Sequence, residues 1–422
     1  MGEPAYDVAV VGAGAAGLMT AITAARAGAR TLLIDRRQRI GAKILISGGT
    51  RCNLTNRTVS VADYQSSGSR AFIKHVLSAF NEQQAVSFFK SLGVPVVLEP
   101  SGKYFPSTHS GRTVLEALLR AAEEAGVELV TGVVVDAVRG MDGAFVVEGK
   151  DDVTGERGAF RAGRVALATG GLSYPQTGSD GTGYRIAAAL GHTLVETTPS
   201  LTPLVTSDAG FRSLSGIALP VAMTLWVGGR QTTTVSGSFL FTHVGFSGPA
   251  ALDISRHWLR TPKSQHPELT ASFLPEQAPE GAREMMAAAR AEYSQRTVKR
   301  WLAERLPERL AEVLLDKASA PSSTVWAQVT AAQREALVRW LFFAPLSVTG
   351  SLGYAKAEVT AGGVPLAEVH HRTMESRLVP GLYFVGEILD VDGRIGGFNF
   401  QWAWSTGVVA GRAMAAQRLR VT

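Results

Sequence analysis

The apolar positions fall first into a short buried run at residues 6–11, which reads as a strand closed by a glycine turn. Leu18, Ala21, Ile22 and Ala25 then recur at helical spacing, and Gly28 ends that helix. ARTLLID (29–35) is a second apolar run, buried on both faces, so strand, helix and strand make one βαβ unit on a parallel sheet. Residues 41–57 form a loop rich in Gly, Ser and Asn, too long for a plain connection. A helix is predicted from about Ala71 to Leu92, then a hairpin through VPVVLEPSGKYFP, then a helix capped by Ser110 and stopped by Gly126. Strands follow at 127–138, 144–148 and 164–171.

The pattern changes near Pro199. Residues 200–275 alternate in runs such as VAMTLWV and SFLFTHV, which predicts a small β-barrel or sheet. From about Pro279 to Phe343 the spacing is helical, and β-like sequence returns near Ser347. The chain ends with GLYFVGE, a loop and an apolar helix from about Phe398. The expected organisation is α/β and Rossmann-like: a discontinuous domain of 1–195 with 350–422, an inserted β-barrel-like domain at 196–275, and a helical domain at 276–349.

Composition narrows the chemistry. Two or three domains suit 422 residues, and a charged fraction of 18% is low for a globular protein, which predicts a large buried surface. The single cysteine, Cys52, excludes an intramolecular disulfide and any CxxC pair, and it fits a reducing cytoplasm. No apolar run reaches the roughly 18 residues of a membrane span, and no basic leader precedes the first strand. The net charge of +6 points to an anionic partner, with RNA as one candidate.

The decisive motif is VAVVGAGAAGLMTAITAARAGARTLLIDRR. Gly12 permits the tight turn, Gly14 lets a pyrophosphate approach the backbone, and Gly17 lets helix and strand pack closely. The helix start at Ala15 and Ala16 aims free amides at the phosphates. Asp35 closes the second strand, where a carboxylate accepts from ribose hydroxyls. An NAD dehydrogenase would continue with regular βα units. This chain instead has a glycine loop at 47–49, ATGG at 168–171, and a distant GE (386–387) before GGFN (396–399). Those elements suit FAD: Glu387 near ribitol and phosphate, and the amides of Gly397, Phe398 and Asn399 toward a flavin carbonyl that gains charge on reduction.

KILISGGTRCNLTN, TGSDGTGYRIAAALGH, FTHVGFSGPAALDIS, AEVTAGGV and GEILDVDGRIGGFNFQWAWSTGVVAG together resemble the BaiN/RdsA-like family of NAD(P)/FAD-dependent oxidoreductases, from Asp7 to about Met414. The resemblance implies a glutathione-reductase-like FAD domain with an inserted barrel and a helical domain. It also implies reductive flavin chemistry on a C=C bond, in either an unsaturated steroid or a uridine of ribosomal RNA that becomes dihydrouridine. Two departures, GGT where a fuller GGG is expected and DGRIGGFNF with its basic Arg394, point to a subfamily. The expected FAD site comprises Gly12, Gly14, Ala15, Ala16, Gly17, Asp35, Arg36, Lys43, Ser47, Gly48, Gly49, Asn53, Val134, Thr169, Gly170, Gly386, Glu387, Gly397, Phe398 and Asn399.

Several roles stay open at this level. Cys52 is either a proton donor beside the flavin or a compact packed residue. Lys43 and Arg51 either neutralise the cofactor or face solvent, and His109 and His243 lie beside loops that a substrate could reach. His370 and His371 would point oppositely on a strand, and no metal site is supported. The stretch RAEYSQRTVKRWLAERLPERL offers cations and aromatics to RNA, or it is an ion-paired helix surface. NAD(P)H is the expected transient donor, although no second dinucleotide fingerprint follows a strand. No membrane contact and no obligate protein partner are expected. The competing classes are an NAD(P)-only dehydrogenase and a non-enzymatic flavoprotein or RNA-binding factor.

Overall fold

The computed structural model describes residues 5–141 and 143–416, so the outermost limits of the expected domains at 1 and 422 lie outside the described residues. The chain divides into two compact units, Met1–Pro199 with Glu358–Thr422, and Ser200–Ala357.

In the first unit, strand Tyr6–Val11 lies between Thr31–Asp35 and Arg157–Leu167, parallel to both, and Glu128–Thr131 extends the sheet beyond Thr31–Asp35. Val8, Ala9, Val10, Leu32, Leu33 and Ile34 are all fully buried, as a sheet covered on both faces requires. Strand Arg157–Leu167 changes partners along its length. Its first half pairs antiparallel with Ala144–Asp151, and its last residues pair parallel with Leu382–Phe384. That second pairing returns the C-terminal segment to the N-terminal sheet.

Helix Phe398–Ala416 completes the return. A Cβ at Gly407 would stand 2.8 Å from the Ala16 carbonyl oxygen, and one at Gly411 would stand 2.7 Å from that of Thr20. Glycine at these two positions lets the C-terminal helix lie directly on helix Ala15–Arg26. The C-terminal helix therefore packs on the helix that follows the first strand.

Some local expectations change. The helix expected at 71–92 is two, Arg70–Ala79 and Glu82–Ser91, because Asn81 and Gln84 form a reciprocal capping box (2.8 and 3.0 Å) that restarts it. The loop at 41–57 contains a short helix, Ala42–Ile46. Ser110 precedes helix Gly111–Glu124, but its side chain makes no capping bond. His370 and His371 lie at a turn, not on a strand.

The second unit is one antiparallel sheet of seven strands, with Ala344–Pro345 at one edge and Val348–Ser351 at the other. Only Leu346 and Ser347 separate these edge strands in sequence, so the sheet curls back on itself as a barrel does. The helices between residues 282 and 342 share its core. Phe211, Phe239, Phe241 and Phe246 cluster with Trp301, Trp326, Leu310 and Leu341. The β-rich and helical stretches separated at 275/276 in the sequence thus have a single core here. No described helix is long and apolar enough to cross a membrane.

Candidate flavin site

The glycine turn after the first strand is built on sterics. Gly12 has φ +105°, and a Cβ there would lie 2.5 Å from the Ala168 carbonyl oxygen. A Cβ at Gly17 would lie 1.8 Å from the Gly12 carbonyl oxygen, an impossible contact. Gly14 is different: a Cβ there meets nothing within 4 Å. Protein packing does not demand glycine at Gly14, whereas a group bound against the backbone would. The first-turn amides of Ala15 and Ala16 have no partner inside their helix, and the positive helix end suits phosphate.

Asp35 fastens this turn from the second strand. Its Oδ2 accepts the Ala13 N–H at 2.6 Å and its Oδ1 accepts the Arg37 N–H at 2.7 Å. Burial raises the Asp35 pKa above the usual carboxylate range, and the two amide bonds oppose that rise. Thr169 and Gly170 follow the neighbouring strand, and Val134 stands half-buried on Val133–Met141.

The loop after helix Ala42–Ile46 is held in a rare conformation. Gly48, Gly49, Thr50 and Cys52 have φ of 57°, 67°, 70° and 58°, all left-handed. Such a run in non-glycine residues is strained and marks functional loops. Its last member leads into Asn53, only 7% exposed, whose Oδ1 is buried with no hydrogen-bond partner among the described residues. A Cβ at Gly397 would lie 2.8 Å from this same oxygen, so the orphan acceptor stands beside the start of helix Phe398–Ala416. The first amides of that helix are donors without intrahelical partners. Acceptor and donors side by side match the pyrimidine edge of a flavin, which presents an N–H between two carbonyls. The residues present therefore fit FAD: a phosphate cradle at Gly14 and a flavin edge at Asn53 and Gly397.

A polar knot gathers around Glu387. Lys43 Nζ donates to Glu387 Oε2 (2.6 Å) and to Ser173 Oγ (2.7 Å), while Ser173 Oγ and the Thr360 N–H donate to Glu387 Oε1 at 2.7 and 3.0 Å. Thr360 Oγ1 accepts the amides of Leu172 and Ser173. Gly386, with φ +74°, sits where a Cβ would be 2.8 Å from that of Ala16, and its N–H donates to Thr406 Oγ1 at 3.0 Å.

A model of the HI0933-like protein Rossmann domain matches residues 6–413. The chain belongs to this family. Among its relatives, the 3-dehydro-bile acid delta(4,6)-reductase of Clostridium scindens is 33% identical over 97% of this chain and 98% of that protein. The ribosomal RNA dihydrouridine synthase of Escherichia coli is 33% identical over 98% of this chain and 99% of its own length. Of solved structures, 3-ketosteroid-delta4-(5alpha)-dehydrogenase from Rhodococcus jostii has a TM-score of 0.51 at 18% identity, covering 97% of this chain and 96% of its own. The 3-ketosteroid delta1-dehydrogenase of Sterolibacterium denitrificans has 0.52 at 14% identity, covering 98% and 99%. These two likenesses carry the fold.

In this HI0933-like chain several expected cofactor contacts are engaged with protein. Lys43 and Glu387, each expected to face the cofactor, are paired with each other. Arg36 lies near the surface between Asp180 (2.6 Å) and Asp152 (3.6 Å), because the end of the second strand faces two acidic loops. Arg51 pairs with Glu99 at 2.6 Å and lies over the Phe105 ring. The Asn399 side chain exchanges two 2.8 Å bonds with the Gly393 backbone, which leaves only its amide to offer. Phe398 is fully buried, and its carbonyl accepts from Tyr64 Oη at 2.8 Å. Ser47 Oγ donates to the Ile44 carbonyl, and the Ser47 carbonyl accepts the Cys52 N–H. Cys52 is fully buried and its thiol is pushed up to about 12 by burial, against a hydrogen bond with Ser47. It stays protonated at neutral pH and packs in the core. No three metal-ligating groups cluster among the described residues.

Ser173, Thr360 and Thr406 went unassigned in the sequence. Thr360 lies inside AEVTAGGV and Ser173 just after ATGG, so the motifs held them, but their contacts to Glu387 span 27 and 214 residues.

Proposed function

We propose that this protein, an FAD-dependent oxidoreductase, saturates the C5=C6 bond of a uridine in ribosomal RNA, with NAD(P)H as electron donor. The observation that carries the choice of RNA is the surplus positive charge of +6 on a chain whose expected cofactor-facing cations, Lys43 and Arg36, are already neutralised by Glu387, Asp180 and Asp152. The names of the two relatives describe one chemistry. A 3-oxo-4,6-diene and a uracil ring each place a C=C bond in conjugation with a carbonyl. Hydride adds to the carbon remote from that carbonyl, a proton adds to the adjacent carbon, and the carbonyl oxygen carries charge in between.

Bound FAD, once reduced, supplies the hydride. The chain's own residues hold and orient it. The open backbone at Gly14 takes the pyrophosphate, Asp35 both braces the turn and accepts from ribose, and Asn53 Oδ1 with the Gly397–Asn399 amides takes the flavin edge. The Lys43–Glu387–Ser173–Thr360 knot fixes Gly386 and the ATGG turn relative to each other. Cys52, protonated and fully buried, serves packing better than proton delivery.

A small polycyclic enone is the second substrate class, favoured by the equal identity of the Clostridium scindens relative. The discriminating experiment compares nucleosides of ribosomal RNA from cells with and without this gene. Loss of dihydrouridine on deletion, restored by the wild-type gene, is the expected result. An unchanged dihydrouridine content refutes the RNA assignment. A colourless protein that takes up no FAD on reconstitution refutes the flavin chemistry altogether.

A further inference from the structure

Three of the six cations in the stretch 290–309 that look suited to nucleic acid in the sequence are spent on ion pairs. In the stretch 290–309, Arg296 pairs with Glu304, and Lys299 reaches Glu308 and Glu312 at 2.9 and 2.6 Å. Arg305 reaches Glu304 and covers the Trp301 ring. Those paired cations offer polyanions little, and acids Glu292, Glu304 and Glu308 are interleaved with the rest.

A second group of cations is built differently. Helix Arg70–Ala79 (RAFIKHVLSA) contains no acidic residue. It buries Phe72, Ile73, Val76 and Leu77, which leaves Arg70, Lys74 and His75 exposed on its opposite face. Arg70 and Lys74 are one turn apart, so their side chains are neighbours. Beside this helix lies the turn carrying His370, His371, Arg372 and Arg377. The His371 ring meets that of His75 edge-on at 4.6 Å and that of Phe72 at 6.1 Å.

Among the described residues, no carboxylate lies within ion-pair distance of Arg70, Lys74 or Arg372. Arg377 uses its Nε on the Val369 carbonyl at 3.1 Å. The acid of the turn, Glu375, accepts the Gly381 N–H at 2.8 Å, and nearby Glu368 is taken up by His192 at 2.7 Å. The positive field is felt inside the cluster. Burial first, then His75, Arg372, Arg377 and His370, push His371 below the ordinary histidine range. The His75–His371 contact sets the basic face of helix Arg70–Ala79 beside the basic turn at 370–377, two segments far apart in sequence. A surface of one sign without paired carboxylates attracts a polyanion.

We propose that the exposed face of helix Arg70–Ala79 and the turn at 370–377 form a docking surface for the phosphodiester backbone of structured RNA. This deepens the RNA reading and rests on it. The surface holds cations and imidazoles but no exposed large aromatic side chain, so it contacts phosphates and positions the RNA without reading bases.

The test uses the FAD-loaded full chain and a fluorescein-labelled hairpin RNA, with binding followed by anisotropy across a salt series. The double variant Lys74→Ala/Arg372→Ala touches neither the flavin site nor the core. It is expected to weaken binding and to flatten the slope of log K against log salt by about 2, near one unit per phosphate contact removed. Its FAD content and flavin absorption spectrum should match wild type, which excludes misfolding. A matched variant of two ion-paired cations, Lys299→Ala/Arg305→Ala, should bind as wild type does. Wild-type affinity and slope in Lys74→Ala/Arg372→Ala, with salt-dependent binding intact, overturn this surface while leaving the RNA reading standing. A wild-type protein that shows no salt-dependent RNA binding overturns both.

Discussion

The two units use their residues in opposite ways. The unit formed by 1–199 and 358–422 is shaped by what is missing: side chains absent at Gly12, Gly17, Gly407 and Gly411, a strained left-handed run at 48–52, and an acceptor left unpaired at Asn53. The unit of 200–357 is shaped by what is filled, with Phe241 and Phe246 packed on each other and each on Phe211 and Phe239 at 5.0–6.0 Å, and the Trp301–Trp326 pair at 5.3 Å. The first carries local costs that a bound dinucleotide would offset. The second is satisfied by its own packing. The site we propose for the cofactor lies where the chain is least satisfied by itself.

Mutations can break that contrast. The largest effect is expected from Gly17→Ala, because its methyl would meet the Gly12 carbonyl oxygen at 1.8 Å. Stability should fall by more than about 4 kcal/mol, read as loss of soluble, FAD-containing protein. In the other unit, Phe241→Ala should cost about 3–5 kcal/mol in urea unfolding while the folded protein keeps its FAD. Loss of FAD from folded Phe241→Ala would mean that the two units are not so distinct.

Alkaline titration probes the first unit again. The folded Cys52 thiol titrates near 12, above its ordinary value of 9.0, so the native state holds a proton that the unfolded chain gives up first. The stabilisation is complete below pH 9 and fades as pH rises toward 12, by about 4 kcal/mol. Cys52→Ala should flatten this alkaline loss, and the native thiol should resist iodoacetamide at pH 8.5 until urea exposes it. Rapid labelling of native protein would contradict the burial.

Asp35→Ala should weaken FAD binding by about 1.5–3 kcal/mol, through the lost ribose bond and a slackened Ala13 turn, as measured by fluorescence of released FAD. At the small end, Lys299→Ala should leave the thermal midpoint almost unmoved, since the pairs of Lys299 lie on an exposed helix surface.

The same contrast explains what was legible in the sequence. Gly12, Gly17 and Asp35 act through local sterics and backbone bonds, so their spacing alone located the tight turn after the first strand. The alternating runs at 218–227 and 230–241 pair as a hairpin for the same local reason. Pairings over long separations were hidden: Lys43 with Glu387 across 344 residues, and the edge strands at 344–345 and 348–351 with Glu268–Ser272 and Leu204–Thr206. Nothing about lysine at Lys43 says whether its partner is a phosphate or a carboxylate until the fold brings Glu387 to it.

The most direct test of the account concerns Gly14, the glycine that packing does not require. Its backbone lies in the extended region open to any residue, and a methyl there meets no protein atom within 4 Å. Measuring FAD affinity and apoprotein thermal stability of Gly14→Ala separates the fold from the cofactor. The account predicts an unchanged apoprotein midpoint with FAD binding weakened by roughly tenfold or more, about 1.4 kcal/mol. Wild-type FAD affinity in Gly14→Ala would show that the dinucleotide does not lie against this turn.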